Sequence, residues 1–289
     1  MMKRILFPAL SIAAIGAHAQ KLPSSSPLGK VEQVVGLTTV TVEYSRPSAR
    51  GRTVFGDLVP YGEAWRTGAN RCTKFTIDGP VRVENAELSA GSYCLFSVPG
   101  ADSWTLIFNR NSELSTPGER KQEDDALLVA VEPEGIEFTE TLTFGFDEVK
   151  DDKARMDLSW ENTRVSVRVT ADATEQALAN IREAMAKPDA DFGAYNRCAR
   201  FCLDRDIMPK EALEWATKSV ALDKRYWNTY TLALAQAKNG LYKEAIATAQ
   251  QSTKLAEEAK AAGAVKQGQA SIEEWTKALP SAPAKGKKK

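Results

Sequence analysis

The sequence predicts an antiparallel β-sandwich or distorted barrel followed by a domain of helical hairpins. Three observations carry this. Short apolar or alternating runs succeed one another from Val31 to Val169 with no helix of 10–15 residues between them, which argues against a parallel α/β sheet. Near Ala171 the hydrophobic period changes from two to helical spacing. The chain has 289 residues, enough for two packed domains, and its 43% hydrophobic and 26% charged residues exclude a wholly disordered chain and a polytopic membrane protein.

The first nineteen residues read as an address rather than as structure. Lys3 and Arg4 form a basic start, Ile5 to Ala17 is apolar, and Ala17-His18-Ala19 places small residues two apart. This is the layout of a cleaved secretory signal over 1–19 and is short for a membrane span, so the expected location is periplasmic or secreted, with no span left after cleavage. The only histidine, His18, is lost with it. Histidine triads, His-ligated zinc and His-ligated haem are thereby excluded, and no cofactor is expected. Lys plus Arg equals Asp plus Glu at 38 each, so no bulk positive field recruits nucleic acid.

Residues 20–30 are polar and contain Pro23 and Pro27, a flexible lead-in. The β domain is expected over 31–170. Val40, Val42 and Tyr44 alternate with Thr41 and Glu43, and further runs lie at Phe75–Ile77, Val81–Val83, Tyr93–Val98 and Trp104–Phe108. Ala126–Val131, Ile136–Phe146, Met156–Trp160 and Val165–Val169 complete nine or ten strands. Turns are expected at Asp78-Gly79-Pro80, Pro99-Gly100 and Glu161-Asn162, and Lys121–Asp125 reads as a solvated loop.

The helical domain is expected over 172–279. Asp172 to Glu175 can cap a first helix that runs to Lys187 before Pro188. Helices then follow at Asp191–Leu203, Pro209–Leu222, Tyr226–Lys238, Leu241–Ala262 and about Lys266–Leu279, with Asn239-Gly240 as a stop signal. Residues 280–289 form a disordered basic tail. Ala212 and Ala245 stand 33 residues apart within similar K-E-A stretches. With Leu232, Ala233, Gly240 and Tyr242 they resemble the tetratricopeptide repeat over roughly Gly193–Leu255, two units at most. Thr229 stands where that repeat usually has a tryptophan.

One segment interrupts the β pattern. Tyr44–Asn70 reads Y-S-R-P-S-A-R-G-R-T-V-F-G-D-L-V-P-Y-G-E-A-W-R-T-G-A-N. It gathers Arg46, Arg50, Arg52 and Arg66 around Tyr44, Tyr61 and Trp65, with four glycines and two prolines. An ordered loop of this length needs a reason. Either its guanidinium groups form an anion site, or they bond their own domain and staple the loop down. Candidate ligand contacts are Tyr44, Arg46, Arg52, Trp65, Arg66, Asn70 and, further on, Asn109; Asp57 and Glu63 are weak catalytic candidates near the arginines.

This segment, with Leu88–Tyr93 and Trp104–Asn109, resembles the signature of an exported bacterial family defined only as a domain of unknown function. The resemblance covers about Gln33–Val169. It implies an exported β domain, with tetratricopeptide-like helices behind it in some members, and brings no established activity with it. Its recurrent residues include Arg46, Arg52, Trp65, Arg66, Asn70 and Asn109.

The four cysteines become disulfide candidates after export. Cys72 and Cys94 are 22 apart in the strand-rich half, a spacing suited to neighbouring strands, and the resembling family usually has other small or polar residues there. Cys198 and Cys202 share one helix face, where helical geometry holds their Cβ atoms apart. The neighbouring Arg197, Arg200 and Arg205 would lower the Cys198 thiol pKa. Gly51–Gly56 lacks the ending of a phosphate loop, and the acidic runs at 123–125 and 147–152 lack calcium-loop spacing, so no metal site is expected.

The expected function is non-enzymatic binding: a protein or peptide partner on the helices and a small anion at the arginine–aromatic loop. A hydrolase or related enzyme acting on an anionic envelope metabolite and a purely structural envelope protein are the alternatives.

Overall fold

The computed structural model describes residues 22–187 and 189–279. The predicted signal segment and the tail over 280–289 lie outside the described residues. The chain divides after Ala173 into two compact units.

Among the described residues the first unit holds ten strands. They are β1 (Leu28–Val35), β2 (Thr38–Ser45), β3 (Thr73–Ile77), β4 (Val81–Val83), β5 (Ala86–Leu88), β6 (Gly91–Val98), β7 (Trp104–Asn109), β8 (Asp125–Val131), β9 (Pro133–Lys150) and β10 (Lys153–Thr170). β1 begins at Leu28, inside the stretch that the sequence marks as lead-in. The strands form two antiparallel sheets, ordered β1-β2-β3-β6-β7-β8 and β5-β4-β10-β9. Both are open. The sandwich or barrel expected from the sequence is corrected to two separate ladders that contribute to one buried cluster. Only Glu132 separates β8 from β9, yet the two belong to different sheets. Pro133 sits at that corner and has no N–H with which to continue the ladder.

Alternation builds the core. Val40, Val42 and Tyr44 of β2, Phe75 and Ile77 of β3, and Trp104, Leu106 and Phe108 of β7 all enter the shared cluster. β6 is buried on both faces. Tyr93 and Leu95 join the shared cluster, while Cys94 and Phe96 join Ile107 and Leu114 in a second one.

One predicted turn is absent. Glu161-Asn162 lies inside the 18-residue strand β10, where register shifts flank Glu161 and its φ is 54°. The buried residues change parity there, from Met156, Leu158 and Trp160 to Val165, Val167 and Val169. A bulged, left-handed residue turns the strand without ending it.

The second unit holds six helices among the described residues: α1 (Thr174–Ala186), α2 (Phe192–Asp204), α3 (Pro209–Leu222), α4 (Tyr226–Lys238), α5 (Tyr242–Glu258) and α6 (Ala262–Ala278). Asp191 caps α2 by accepting the Ala194 N–H at 2.6 Å, and Pro209 starts α3 where no N–H is needed. The fifth helix ends four residues before the predicted Ala262. Lys260 makes the turn at φ 56°, and an Ala-rich run gives little warning of it.

The unit repeats itself in detail. Ala212 and Ala245, and likewise Ala216 and Ala249, lie 33 apart and are fully buried. Ser219 Oγ donates to the Phe192 carbonyl and Ser252 Oγ to the Tyr226 carbonyl, each at 2.7 Å. Each acceptor is the first residue of the preceding helix. The turns match too: Ile207 N–H bonds Cys202 O and Leu241 N–H bonds Gln236 O, both at 2.9 Å, around left-handed Asp206 and Gly240.

Candidate functional site

Tyr44–Asn70 leaves β2 and is fastened to the second sheet within a few residues. Tyr44 is buried, its ring meets Phe144 edge-on at 4.7 Å, and its hydroxyl accepts the Phe144 N–H at 2.9 Å. Arg46 donates from Nε to the Leu142 carbonyl at 3.1 Å and from Nη2 to Thr143 Oγ1 at 2.9 Å. Leu142 N–H bonds Pro47 O and Ala49 N–H bonds Glu140 O, so the segment adds a short antiparallel bridge along β9 at Ser48 and Thr141.

The middle of the segment closes on itself. Val59 N–H bonds Val54 O and Gly56 N–H bonds Val59 O. Gly56 has φ 92°, a conformation that favours glycine, and a Cβ there would press on the Tyr61 ring at 3.0 Å. The bulge residue Glu161 reaches across and accepts the Val54 and Phe55 N–H groups at 3.3 and 3.5 Å. The segment then returns to the first sheet, where Trp65 and Ser97 exchange both backbone bonds at 2.7 and 2.9 Å. Thr67 is fully buried with φ 54°, a strained conformation for a β-branched residue. It is held by its hydroxyl against Ser97 Oγ at 3.0 Å and by Thr73 Oγ1 on its carbonyl at 2.7 Å.

This bracing borders an open cavity of about 480 Å³. Arg50, Arg52, Arg66 and Asn70 line it, together with the hydroxyl residues Ser25, Ser26 and Ser48. Its apolar wall contains Leu58, Val59, Trp65 and Trp160. Trp65 and Trp160 stack at 5.8 Å with planes 21° apart, and the Phe55 ring stands edge-on to both. Their indole N–H groups donate to the carbonyls of Gly68 and Glu140, at 3.0 and 3.2 Å.

The cavity arginines are anchored by backbone carbonyls. Arg52 donates from Nε to Ala49 O at 2.9 Å and from Nη2 to Ser48 O at 2.8 Å. Arg66 donates from Nη1 to Asn70 O at 2.7 Å and to Ser115 O at 3.1 Å. Arg50 donates from Nη2 to Ser25 O at 3.1 Å. A carbonyl orients a guanidinium without cancelling its charge. Among the described residues no acidic side chain lines the cavity, and none of these three arginines forms an ion pair. The nearby Glu119 carboxyl is held below its ordinary pKa chiefly by the Ser115 N–H, then by the Thr116 hydroxyl, with a small contribution from Arg66.

Of the residues singled out in the sequence, the cavity therefore brings together Arg52, Trp65, Arg66 and Asn70. Tyr44 and Arg46 lie outside its lining, bonded to β9. Asp57 and Glu63 are exposed and also outside it. Asn109 is fully buried elsewhere, donating to Lys121 O at 3.0 Å and Asp125 Oδ1 at 2.8 Å. The expected solvated loop is corrected at Asp125, whose side chain is only 5% exposed and is ion-paired with Arg120. Burial alone would raise the Asp125 pKa, but hydrogen bonds from Arg120 and Asn109 outweigh it and hold it below the usual value. The sequence does not mark Arg50, Trp160, Ser25 or Ser26 as site residues. Trp160 reads as ordinary core, and Arg50 was visible only as one of four arginines.

Cys72 and Cys94 form a disulfide, with Cα atoms 5.7 Å apart. It anchors the exit of the segment, because Cys72 N–H also bonds Leu114 O at 3.2 Å beside the Ser115 carbonyl that holds Arg66. Cys198 and Cys202 are buried free thiols, so the second candidate bridge is not formed. Both enter an apolar cluster with Ile181 and Ala212. Burial pushes the Cys198 thiol pKa up, against the smaller opposing effect of Arg197, and corrects the expected lowering. Burial pushes Cys202 up to about 11. Among the described residues no group of three His, Cys, Asp or Glu side chains is placed to hold a metal ion, and no helix is long and apolar enough to cross a membrane.

No curated protein and no solved structure matches the chain. Residues 26–169 match the family model described as "Protein of unknown function (DUF2911)"; this range contains β1 to β9, all of β10 but Thr170, and the whole cavity except Ser25, and over these residues the chain belongs to that family.

Proposed function

We propose that the chain is an exported, non-enzymatic binding protein whose β unit takes a small anion in the cavity under Tyr44–Asn70. One observation carries this reading: Arg50, Arg52 and Arg66 line a single cavity with no acidic residue in its wall. Three positive groups border one cavity, and a bound anion would offset their charge. Asp57 and Glu63 lie outside the lining, so neither supports proton transfer to a ligand bound there.

The helical unit is, in the same proposal, a short tetratricopeptide-like array that presents a surface to a protein or peptide. The 33-residue recurrence of buried alanines and the paired serine bonds support it. A purely structural envelope role is the second reading. It draws on the carbonyl bonds that already occupy one side of each guanidinium.

Native mass spectrometry of the protein purified from its own host separates the two. The expected result is a retained small anion that disappears with Arg52→Lys or Arg66→Lys and persists with Arg46→Lys. Ligand-free protein whose arginine Nε–H resonances also ignore added phosphate and acetate would leave the structural role.

A further inference from the structure

Resting on that anion-binding reading, we infer that the ligand is an organic oxyanion with an apolar or ring-shaped body, not a free inorganic ion. The oxyanion end meets Arg66 and Arg52, and the body packs against Leu58 and Trp65.

Size is the first argument. A cavity of about 480 Å³ falls within the range of roughly 300–1,000 Å³ typical of organic-ligand pockets. A lone phosphate or sulfate would leave most of it to water.

The division of the wall is the second. Leu58 is 42% exposed, and it lines the same cavity as the arginines. Trp65 is only half-buried and stacks on the fully buried Trp160, so its ring is backed and fixed. An inorganic oxyanion gains nothing from these surfaces. An apolar body covers them and gains from each square ångström removed from water.

The hydrogen bonds of Arg66 supply the third. Both of its internal bonds leave from Nη1. Among the described residues its Nε and Nη2 groups carry none, and these two form the edge that grips a carboxylate or phosphate bidentately. Arg52 is spent the other way, through Nε and Nη2, and keeps Nη1. Arg66 thus offers a fork, and Arg52 an end-on donor, to the same cavity.

The test uses phenyl phosphate, benzoate, inorganic phosphate and phenol, titrated calorimetrically at constant ionic strength. Phenyl phosphate, benzoate or both should bind about tenfold or more tighter than inorganic phosphate, since a ring moved out of water contributes at least that factor. Phenol should not bind. Leu58→Ser, at an exposed position, should lower the ratio of phenyl phosphate affinity to inorganic phosphate affinity toward one. Arg66→Lys should weaken every anion. Equal affinity for phenyl phosphate and inorganic phosphate, or no effect of Leu58→Ser, overturns this inference while the anion site stands. Absence of binding by all three anions, or phenol binding as well as phenyl phosphate, overturns the anion site itself.

Discussion

In the helical unit, Ser219 and Ser252 bond carbonyls 27 and 26 residues back along the chain. In the β unit, Arg46 and Tyr44 bond groups 96 and 100 residues ahead. Both devices satisfy backbone groups that would otherwise be stranded. Their reach differs nearly fourfold, and so does what they build. Short reach repeated twice makes a stack of similar layers, each close-packed through alanine. Long reach made once fastens an irregular segment over the seam between two sheets and leaves a charged cavity beneath it. The repeated layers place buried alanines at equivalent contacts, whereas the segment over the cavity uses a large aromatic support and many separate polar ties.

Opposite changes should therefore break the two regions. Trp160→Ala removes the partner of Trp65 and Phe55 and should cost the β unit about 3–5 kcal/mol. Ala249→Leu forces volume between α4 and α5 and should cost the helical unit about 1–3 kcal/mol. Hydrogen exchange read by mass spectrometry assigns each loss to its region. A tolerated Trp160→Ala, or a neutral Ala249→Leu, would erase the contrast.

The disulfide sharpens the comparison, because it belongs to one region alone. Cys72→Ala with Cys94→Ala reopens a loop spanning 22 residues, a constraint worth about 3 kcal/mol. The loss should appear as faster exchange around Arg66–Thr73, and α2 to α6 should be unaffected. Equal loosening of both regions would mean that the bridge is not a local tie.

Reach also decides what was legible. Helix ends were readable from Asp191, Pro209 and Asn239-Gly240, because a cap acts within four residues. Most strands were readable from alternation. Glu161-Asn162 reads as a turn in the sequence and lies within β10, since a left-handed residue in a strand and one in a turn carry the same local signal. The segment over the cavity was conspicuous as composition, but its arginines could not be sorted. Arg46 and Arg66 sit in similar surroundings along the chain. Only the fold shows that Arg46 is committed to Leu142 and Thr143 while Arg66 faces the cavity. Asn109 was drawn into the site for the same reason, although its partners are Lys121 and Asp125.

The smallest effect tests whether the helical layers are energetically as well as geometrically alike. Ser252→Ala removes one hydroxyl and leaves the Tyr226 carbonyl without its side-chain donor, at a cost of about 1 kcal/mol. Ser219→Ala does the same to Phe192 and also removes the acceptor of Asn228 Nδ2, which lies 2.9 Å away. Asn228 keeps its bond to Asp223 O at 2.7 Å, so the added penalty is partial, and the total should be about 1–2 kcal/mol. Urea denaturation of the two single variants and the double variant measures the difference. Ser219→Ala should be the costlier of the pair, and the two losses should add, since the serines share no partner. If Ser252→Ala proves the costlier, the second layer holds an interaction beyond the repeat, and the likeness of the two layers stops at their geometry.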